Sequence, residues 1–472
     1  MTHYAEMGWQ GYLAEHRARF QEELVEFLRI PSISALPEHT ADVRRAAEWL
    51  VKRLESAGVE GARVLETGGH PVVYGEWLHA PGKPTALIYA HFDVQPVDPL
   101  DEWDSAPFEP TVRDGKMYCR GATDDKGNLL IPILSLEALL KTEGKLPVNV
   151  KFLLEGQEEI GSPQLPTFLD ANAALFTCDV IVSADGGRLG EDPPALIVGT
   201  KGICALEIDV WGAKSDLHSG IFGGAVANPL HALVHILGTM RGADGKILVE
   251  GFYDDVVPLD DDERRLIAEA PFDEQAYKAQ LGVEEVFGEP GFSTLERSWA
   301  RPTLELNGMR GGFQGEGIKT VLPAAAHAKL SCRLVADQNP ARVLECLTEH
   351  IHKHTPPGVK VAVTPDPGRA HAYLVPASHP GNKAAHAAVE RLLGRAPYYA
   401  RLGGTVPVYE VLLRELGAHA IAYGWGCNDE GQHAPNEFIR LKNFEKGQQG
   451  WCVLLEEMAQ KVPAGEPAAR GA

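Results

Sequence analysis

Five short segments of the chain carry imidazole and carboxylate groups at spacings that can do chemistry: His91-Phe92-Asp93, Asp124-Asp125-Lys126-Gly127, Glu158-Glu159, Asp185-Gly186-Gly187 and Glu430-Gly431-Gln432-His433. Imidazole nitrogens and carboxylate oxygens are ligands for divalent cations, and a carboxylate left free beside such a cation can move protons. In His91-x-Asp93, residues i and i+2 of an extended chain share a face. Asp93 can therefore accept a hydrogen bond from one ring nitrogen while the other binds metal. Glu158 and Glu159 are neighbours and project to different sides, so one can ligate while the other transfers protons. Each segment alone has an ordinary reading: a polar loop, a helix N-cap at Asp124 or Asp125, a solvated acidic pair. Their recurrence in one chain, at the ends of predicted strands, is what makes them a candidate site.

The elements that must carry these groups read as an α/β chain. Leu13, Phe20, Leu24, Phe27 and Leu28 fall on one helical face, predicting a helix over Tyr12 to Ile30 that stops before Pro31. A helix follows over Ala41 to Ala57, then an apolar strand from Thr85 to Ala90 with His91 at its end. A helix from Gly127 to Glu143, a strand from Val148 to Leu154, a helix from Gln164 to Leu175 and a strand from Val180 to Ala184 complete a strand-helix alternation. That pattern predicts a mostly parallel sheet flanked by helices, with ligands past the strands' C-terminal ends. From about Gly202 the texture changes to β-α-β-β-α-β, the pattern of an α+β two-layer sandwich, interrupted by an acidic excursion from Glu250 to Arg301. The expected organisation is a catalytic domain in two parts, 1–201 and 379–462, with an inserted domain at 202–378. The tail 463–472, rich in Pro, Gly and Ala, is expected to be disordered.

With 472 residues the chain is long enough for two domains, and 44% hydrophobic with 23% charged residues is globular composition. Against 44 Lys+Arg stand 65 Asp+Glu, a formal charge of -21 that repels phosphate backbones and anionic lipid, so neither nucleic acid nor membrane is expected as a partner. Seven scattered cysteines with no C-x-x-C pair suggest neither a disulfide framework nor a thiolate zinc site, and with no exported or membrane-spanning segment they predict a cytoplasmic protein.

In their order and at their strand ends, these segments resemble the co-catalytic metallopeptidases that include aminoacylases, acetylornithine deacetylase and the carnosine-type cytosolic dipeptidases. The resemblance runs from roughly Phe20 to Lys461. It is strongest to the dipeptidase branch, through Phe92-Asp93-Val94-Gln95-Pro96, Glu102-Trp103-Asp104-Ser105-Ala106-Pro107-Phe108, Asp216-Leu217-His218-Ser219-Gly220 and Lys319-Thr320-Val321-Leu322-Pro323. It implies two divalent cations per subunit, one held by His91 and Asp185, one by Glu159 and His433, with Asp124 bridging and Asp93 orienting His91. The donors are N and O only, so zinc is expected and manganese or cobalt is compatible. The resemblance also implies Glu158 as general base and a homodimer formed through the inserted lid domain. From that dimer His218 reaches the partner subunit's site as an oxyanion donor. Arg333 becomes the clamp for a substrate carboxylate, with Thr320, Gly404 and Thr405 lining the same pocket. Thr405 stands where serine is expected, which adds a methyl.

The expected activity is hydrolysis of the amide bond of dipeptides or short peptides with a free C-terminal carboxylate. An N-acyl-amino-acid deacylase or short-peptide carboxypeptidase is the alternative within the same chemistry, and a non-catalytic binding protein is a remote one. Gly312 to Thr320 resembles a phosphate-binding loop, but Ile318 spoils its spacing and Pro323 would interrupt the helix it must feed. His350 to His354 is best explained as cations in the last turn of a helix. Asp254 to Arg265 reads as a solvated loop and helix start.

Overall fold

The computed structural model describes residues 3–465 except Gly187 and Glu191, with side chains from Gly8 onward, so most of the predicted tail lies outside the described residues. The chain divides into two compact units: Met1–Val198 with Val375–Tyr399 and Val408–Ala472, and Gly199–Leu374 with Ala400–Pro407. The stretch Ala400–Pro407, read from sequence as catalytic domain, thus clusters with the second unit.

The first unit is built on a six-stranded sheet in the order Glu60–Leu65, Val72–Trp77, Asn149–Glu155, Thr85–His91, Val180–Ser183, Ala420–Ala422. The last four run parallel to one another, and the first two are antiparallel additions at one edge. The parallel strands are nearly continuous apolar runs because both faces are covered. Thr85–His91 is buried from Ala86 onward. The register sets His91 level with Glu155, and Tyr89 level with Ser183. Asp185, two residues beyond Ser183, therefore comes abreast of His91, two residues beyond Tyr89.

Helix Lys126–Glu143 is apolar on nearly every side, from Leu129 to Leu139, and is correspondingly buried all round. It packs against helices at both ends of the chain, including Leu441–Lys461. The expected single helix over Tyr12 to Ile30 is instead two, His3–Glu15 and Arg17–Leu28. The break falls at His16, whose ring Nδ1 lies 3.0 Å from the Tyr12 carbonyl that its own backbone N–H also bonds, so side chain and backbone share one acceptor. Phe20, Leu24, Phe27 and Leu28 still form the buried stripe.

The second unit is a four-stranded antiparallel sheet, ordered Thr303–Gly311, Ala325–Leu334, Gly202–Trp211, Lys360–Pro365, with helices Pro229–Gly238 and Pro340–Lys353. Cys204, Leu206, Ile208 and Val210 meet Leu330, Cys332, Leu334, Leu233, Ile236, Leu347 and Ile351 in its core. Cys332 and Leu334 face that core, so Arg333 points to the opposite face of the sheet. The acidic excursion holds more helix than expected: Asp261–Ala268, Glu274–Leu281 and Thr294–Ala300, each started by a side-chain cap from Asp260, Asp273 or Ser293.

Among the described residues no helix is long and apolar enough to cross a membrane. One close approach in the first unit bears on the site. A Cβ on Gly424 would lie 1.6 Å from the carbonyl oxygen of Gly186, the residue after Asp185. Gly424→Ala should therefore force the Asp185 loop away and lower stability by about 1–3 kcal/mol. Urea unfolding of the variant checks this, and an unchanged midpoint would show that the loop yields freely.

Candidate metal centre

The first unit brings His91, Asp124, Glu158, Glu159, Asp185 and His433 together, though they come from five separate segments. His91, Glu158 and Asp185 sit at or just past the C-terminal ends of sheet strands. Asp124 does not follow a strand of that sheet. It lies in the turn that leads into helix Lys126–Glu143, while the helix N-cap position is Asp125. Asp125 makes no cap hydrogen bond; its Oδ2 accepts the backbone N–H of His91 at 3.2 Å instead. A Cβ on Gly127 would meet the Ala122 carbonyl oxygen at 2.1 Å, which explains a glycine in the first turn of that helix.

Asp124 is the centre of the geometry. Its Oδ1 lies 3.1 Å from His91 Nε2, and its Oδ2 lies 3.0 Å from His433 Nε2. His433 Nε2 is also 3.2 Å from Glu159 Oε2. The other His91 nitrogen, Nδ1, is 3.1 Å from the Asp93 backbone carbonyl and 3.5 Å from its carboxylate. A carbonyl can only accept, so Nδ1 carries a hydrogen there, and Nε2 is the ring nitrogen that faces the centre. The Asp93 carboxylate also accepts the backbone N–H groups of Glu158 at 3.1 Å and Glu159 at 3.0 Å. One residue therefore fixes both the His91 ring and the turn Glu158–Ile160.

Electrostatically the cluster is short of positive charge. No lysine or arginine among the described residues pairs with Asp124, Glu158, Glu159 or Asp185. Burial pushes Asp185 up to about 6 and raises Glu158 well above the usual carboxylate range. Asp124 is held below that range, against the effect of its burial, by hydrogen bonds from His433 and His91. Hydrogen bonds to Asp124 and then Glu159 hold His433 up to about 10. Two sets of donor atoms, His91 with Asp124 and Glu159, and His91 with Asp125 and Asp185, each converge within 4.8 Å. N/O donors, a negative surplus and a carboxylate facing an imidazole on each oxygen fit a pair of divalent cations.

The other residues that the sequence singled out, His218, Thr320, Arg333, Gly404 and Thr405, lie in the second unit. Leu217–His218 pairs with Val321–Leu322, and the Ser219 N–H donates to the Thr320 carbonyl at 3.1 Å, so the His218 and Thr320 segments are neighbours. His218 is exposed, and its Nδ1 accepts the Gly220 N–H at 3.0 Å. In the neutral ring, Nε2 is then the hydrogen-bond donor. Arg333 Nη1 donates to Thr405 Oγ1 at 2.8 Å, and the Gly404 carbonyl accepts the Lys201 N–H at 2.9 Å. Sequence reasoning passed over two residues that touch the centre. Asp125 was legible only as a possible cap. Gln95, whose Nε2 donates to Glu159 Oε2 at 2.8 Å, stood within the Phe92-Asp93-Val94-Gln95-Pro96 motif but was given no role of its own.

Residues 87–457 match the profile of peptidase family M20/M25/M40, and the chain belongs to that family. The resemblance to co-catalytic metallopeptidases and to their dipeptidase branch is thus borne out. A Cys-Gly metallodipeptidase of Schizosaccharomyces pombe is 32% identical over 460 residues, covering 94% of this chain and 96% of the relative. The crystal structure of human carnosine dipeptidase 1 superposes with a TM-score of 0.74 at 32% identity, covering 97% of this chain and 99% of that one. A metallo-carboxypeptidase from Sulfolobus solfataricus superposes with a TM-score of 0.77 at 34% identity, covering 94% and 99%.

The protonated His433 gives a pH dependence with a definite sign. Below about 10 its ring is charged, so a cation taking that nitrogen must displace a proton, and acidification toward the Asp185 value of about 6 adds a second competitor. Zinc affinity of the metal-free protein should therefore rise with pH, by about tenfold per unit for each proton released. Calorimetric titrations near pH 6 and near pH 8 measure it; a pH-independent affinity would contradict the assignment of His433.

Proposed function

We propose that the protein is a metal-dependent dipeptidase, cleaving the amide bond of dipeptides or short peptides that end in a free carboxylate. The observation that carries this reading is Asp124, with one carboxylate oxygen toward His91 and the other toward His433, beside a Glu158 carboxylate that makes no hydrogen bond or ion pair with the described residues. In this reading His91 and Asp185 hold one cation, Glu159 and His433 the other, and Asp124 both. Zinc suits the donor set, and manganese and cobalt are compatible with it. When bound, the cations polarise the scissile carbonyl and make a water more acidic.

Glu158 accepts the proton of the attacking water and delivers it to the leaving amine nitrogen. Burial raises its proton affinity, which suits a group that must take a proton and then give it up. Asp93 holds the Glu158 backbone, so the base is aimed by its main chain. Arg333 takes the terminal carboxylate through its planar fork, steadied by the Thr405 hydroxyl, and the Thr405 methyl, Gly404 and Thr320 shape the same pocket. His218, with its Nε2–H free to donate, supplies the oxyanion contact in a homodimer, where it comes from the partner subunit. Ile221 and Phe222, close after it, are 70% and 39% exposed, which supports an interface there. The cysteines are all free, as suits a cytoplasmic enzyme.

A short-peptide carboxypeptidase is the second reading, favoured by the likeness to the Sulfolobus solfataricus enzyme. A panel of dipeptides, tripeptides and N-acyl amino acids separates the readings: dipeptides should be cleaved fastest, and faster turnover of longer peptides or acyl substrates would overturn the choice. Glu158→Gln should retain bound metal while kcat falls about 10²- to 10⁴-fold. Near-normal turnover of that metal-loaded variant would remove Glu158 as the base. Arg333→Lys should raise KM with little change in kcat, measured on the same dipeptide.

A further inference from the structure

Two glutamates that the mechanism does not use lie on either side of His433 in the chain. Glu430 and Glu437 are both 0% exposed. Between them residues 431–436 form no helix or strand, and His433 itself has a positive φ of 57°. No regular backbone ladder therefore holds the His433 loop in place.

The two carboxylates reach across to the segment that carries Asp124. Glu437 Oε1 accepts the backbone N–H of Thr123 at 2.9 Å and of Asp124 at 3.0 Å. Its Oε2 accepts the Gly121 N–H at 2.9 Å and Arg120 Nη1 at 2.8 Å. Glu430 Oε2 accepts the Thr123 hydroxyl at 2.7 Å and the Cys427 N–H at 2.9 Å. Its Oε1 accepts the Arg440 N–H at 3.1 Å and Arg440 Nη1 at 3.0 Å. With four donors each, neither carboxylate can rotate or shift without leaving a buried group unpaired. Every atom of this network belongs to the first unit.

We infer that Glu430 and Glu437 are positioning residues that set the separation of His433 from Asp124 by clamping the His433 loop onto the backbone amides and hydroxyl of residues 121–124. The inference rests on the proposed reading of Asp124 and His433 as metal ligands. Neither glutamate touches the centre itself. Each acts through the loop it fixes, and together they hold the imidazole against Asp124 Oδ2.

The test uses Co²⁺ added to the metal-free full chain, followed by calorimetry and by visible absorption, in wild type, Glu437→Gln and Thr123→Val. Glu437→Gln places an amide donor against backbone N–H groups. Thr123→Val removes one bond to Glu430 with almost no change of shape. Both variants should bind Co²⁺ about 10- to 100-fold more weakly, with an altered absorption band. Excess Co²⁺ should restore kcat while KM stays at the wild-type value. Thr123→Val should lower the unfolding temperature of the metal-free protein by no more than one lost buried hydrogen bond requires, and the altered absorption band of the folded variant, which bulk destabilisation would not produce, separates positioning from stabilisation. Should Glu437→Gln fail to fold, Thr123→Val decides alone. Wild-type affinity and spectrum in the folded variants would overturn the inference while leaving the ligand reading intact. A wild type that takes up no Co²⁺ would overturn both.

Discussion

A carboxylate buried between two imidazoles is the constraint on which the rest of the first unit depends. Asp124 faces His91 on one side and His433 on the other, and Glu158, Glu159 and Asp185 crowd the same space with no lysine or arginine among the described residues paired to them. In a low-dielectric interior such a concentration of negative charge is unfavourable unless protons or cations offset it. Burial raises the proton affinities of Asp185 and Glu158, and the neighbouring carboxylates add to the effect. The fold accordingly carries a stability cost at the place where its chemistry is concentrated, as functional sites commonly do.

The scaffold meets this cost with rigid surroundings. Parallel strands buried on both faces fix His91, Glu155 and Ser183 in register, so His91 and Asp185 emerge side by side. The Asp93 carboxylate ties the Glu158–Ile160 turn to the His91 strand through two backbone amides. Helix Lys126–Glu143, buried on nearly all sides, anchors the Asp124 turn. The turns that carry Glu158 and Asp124 are thus fixed by backbone N–H groups that donate to the Asp93 and Glu437 carboxylates, which leaves the proposed ligating atoms free to face the centre.

The second unit follows a different logic. Its sheet buries one face, and the alternation that turns Cys332 and Leu334 inward turns Arg333 outward to meet Thr405. His218 lies in an exposed loop held by a two-residue pairing with Val321–Leu322. Such groups have little of the burial that makes the metal cluster recognisable by its electrostatics, and their roles rest more heavily on family likeness.

The sequence by itself determined the two kinds of α/β texture, the order of nearly all the long elements and the acidic and imidazole residues that converge, because periodicity and strand-end placement are local properties of the chain. It also carried the membership of the peptidase family, through motifs spread over most of its length. It misjudged the N-terminal helix, which is interrupted at His16, and it underestimated the helices of the acidic excursion. Gln95, Asp125 and Glu430 stood inside the motifs but had no role of their own, and Glu437 was illegible, because a polar side chain is ordinary in a sequence until burial and partners are known. Only the tertiary structure decided that the Asp93 carbonyl lies closer to the His91 ring than its carboxylate does, and that Glu437 meets amides more than three hundred positions away in the chain. Those contacts join distant segments, and hydrogen bonds between such segments leave no periodic trace in the sequence.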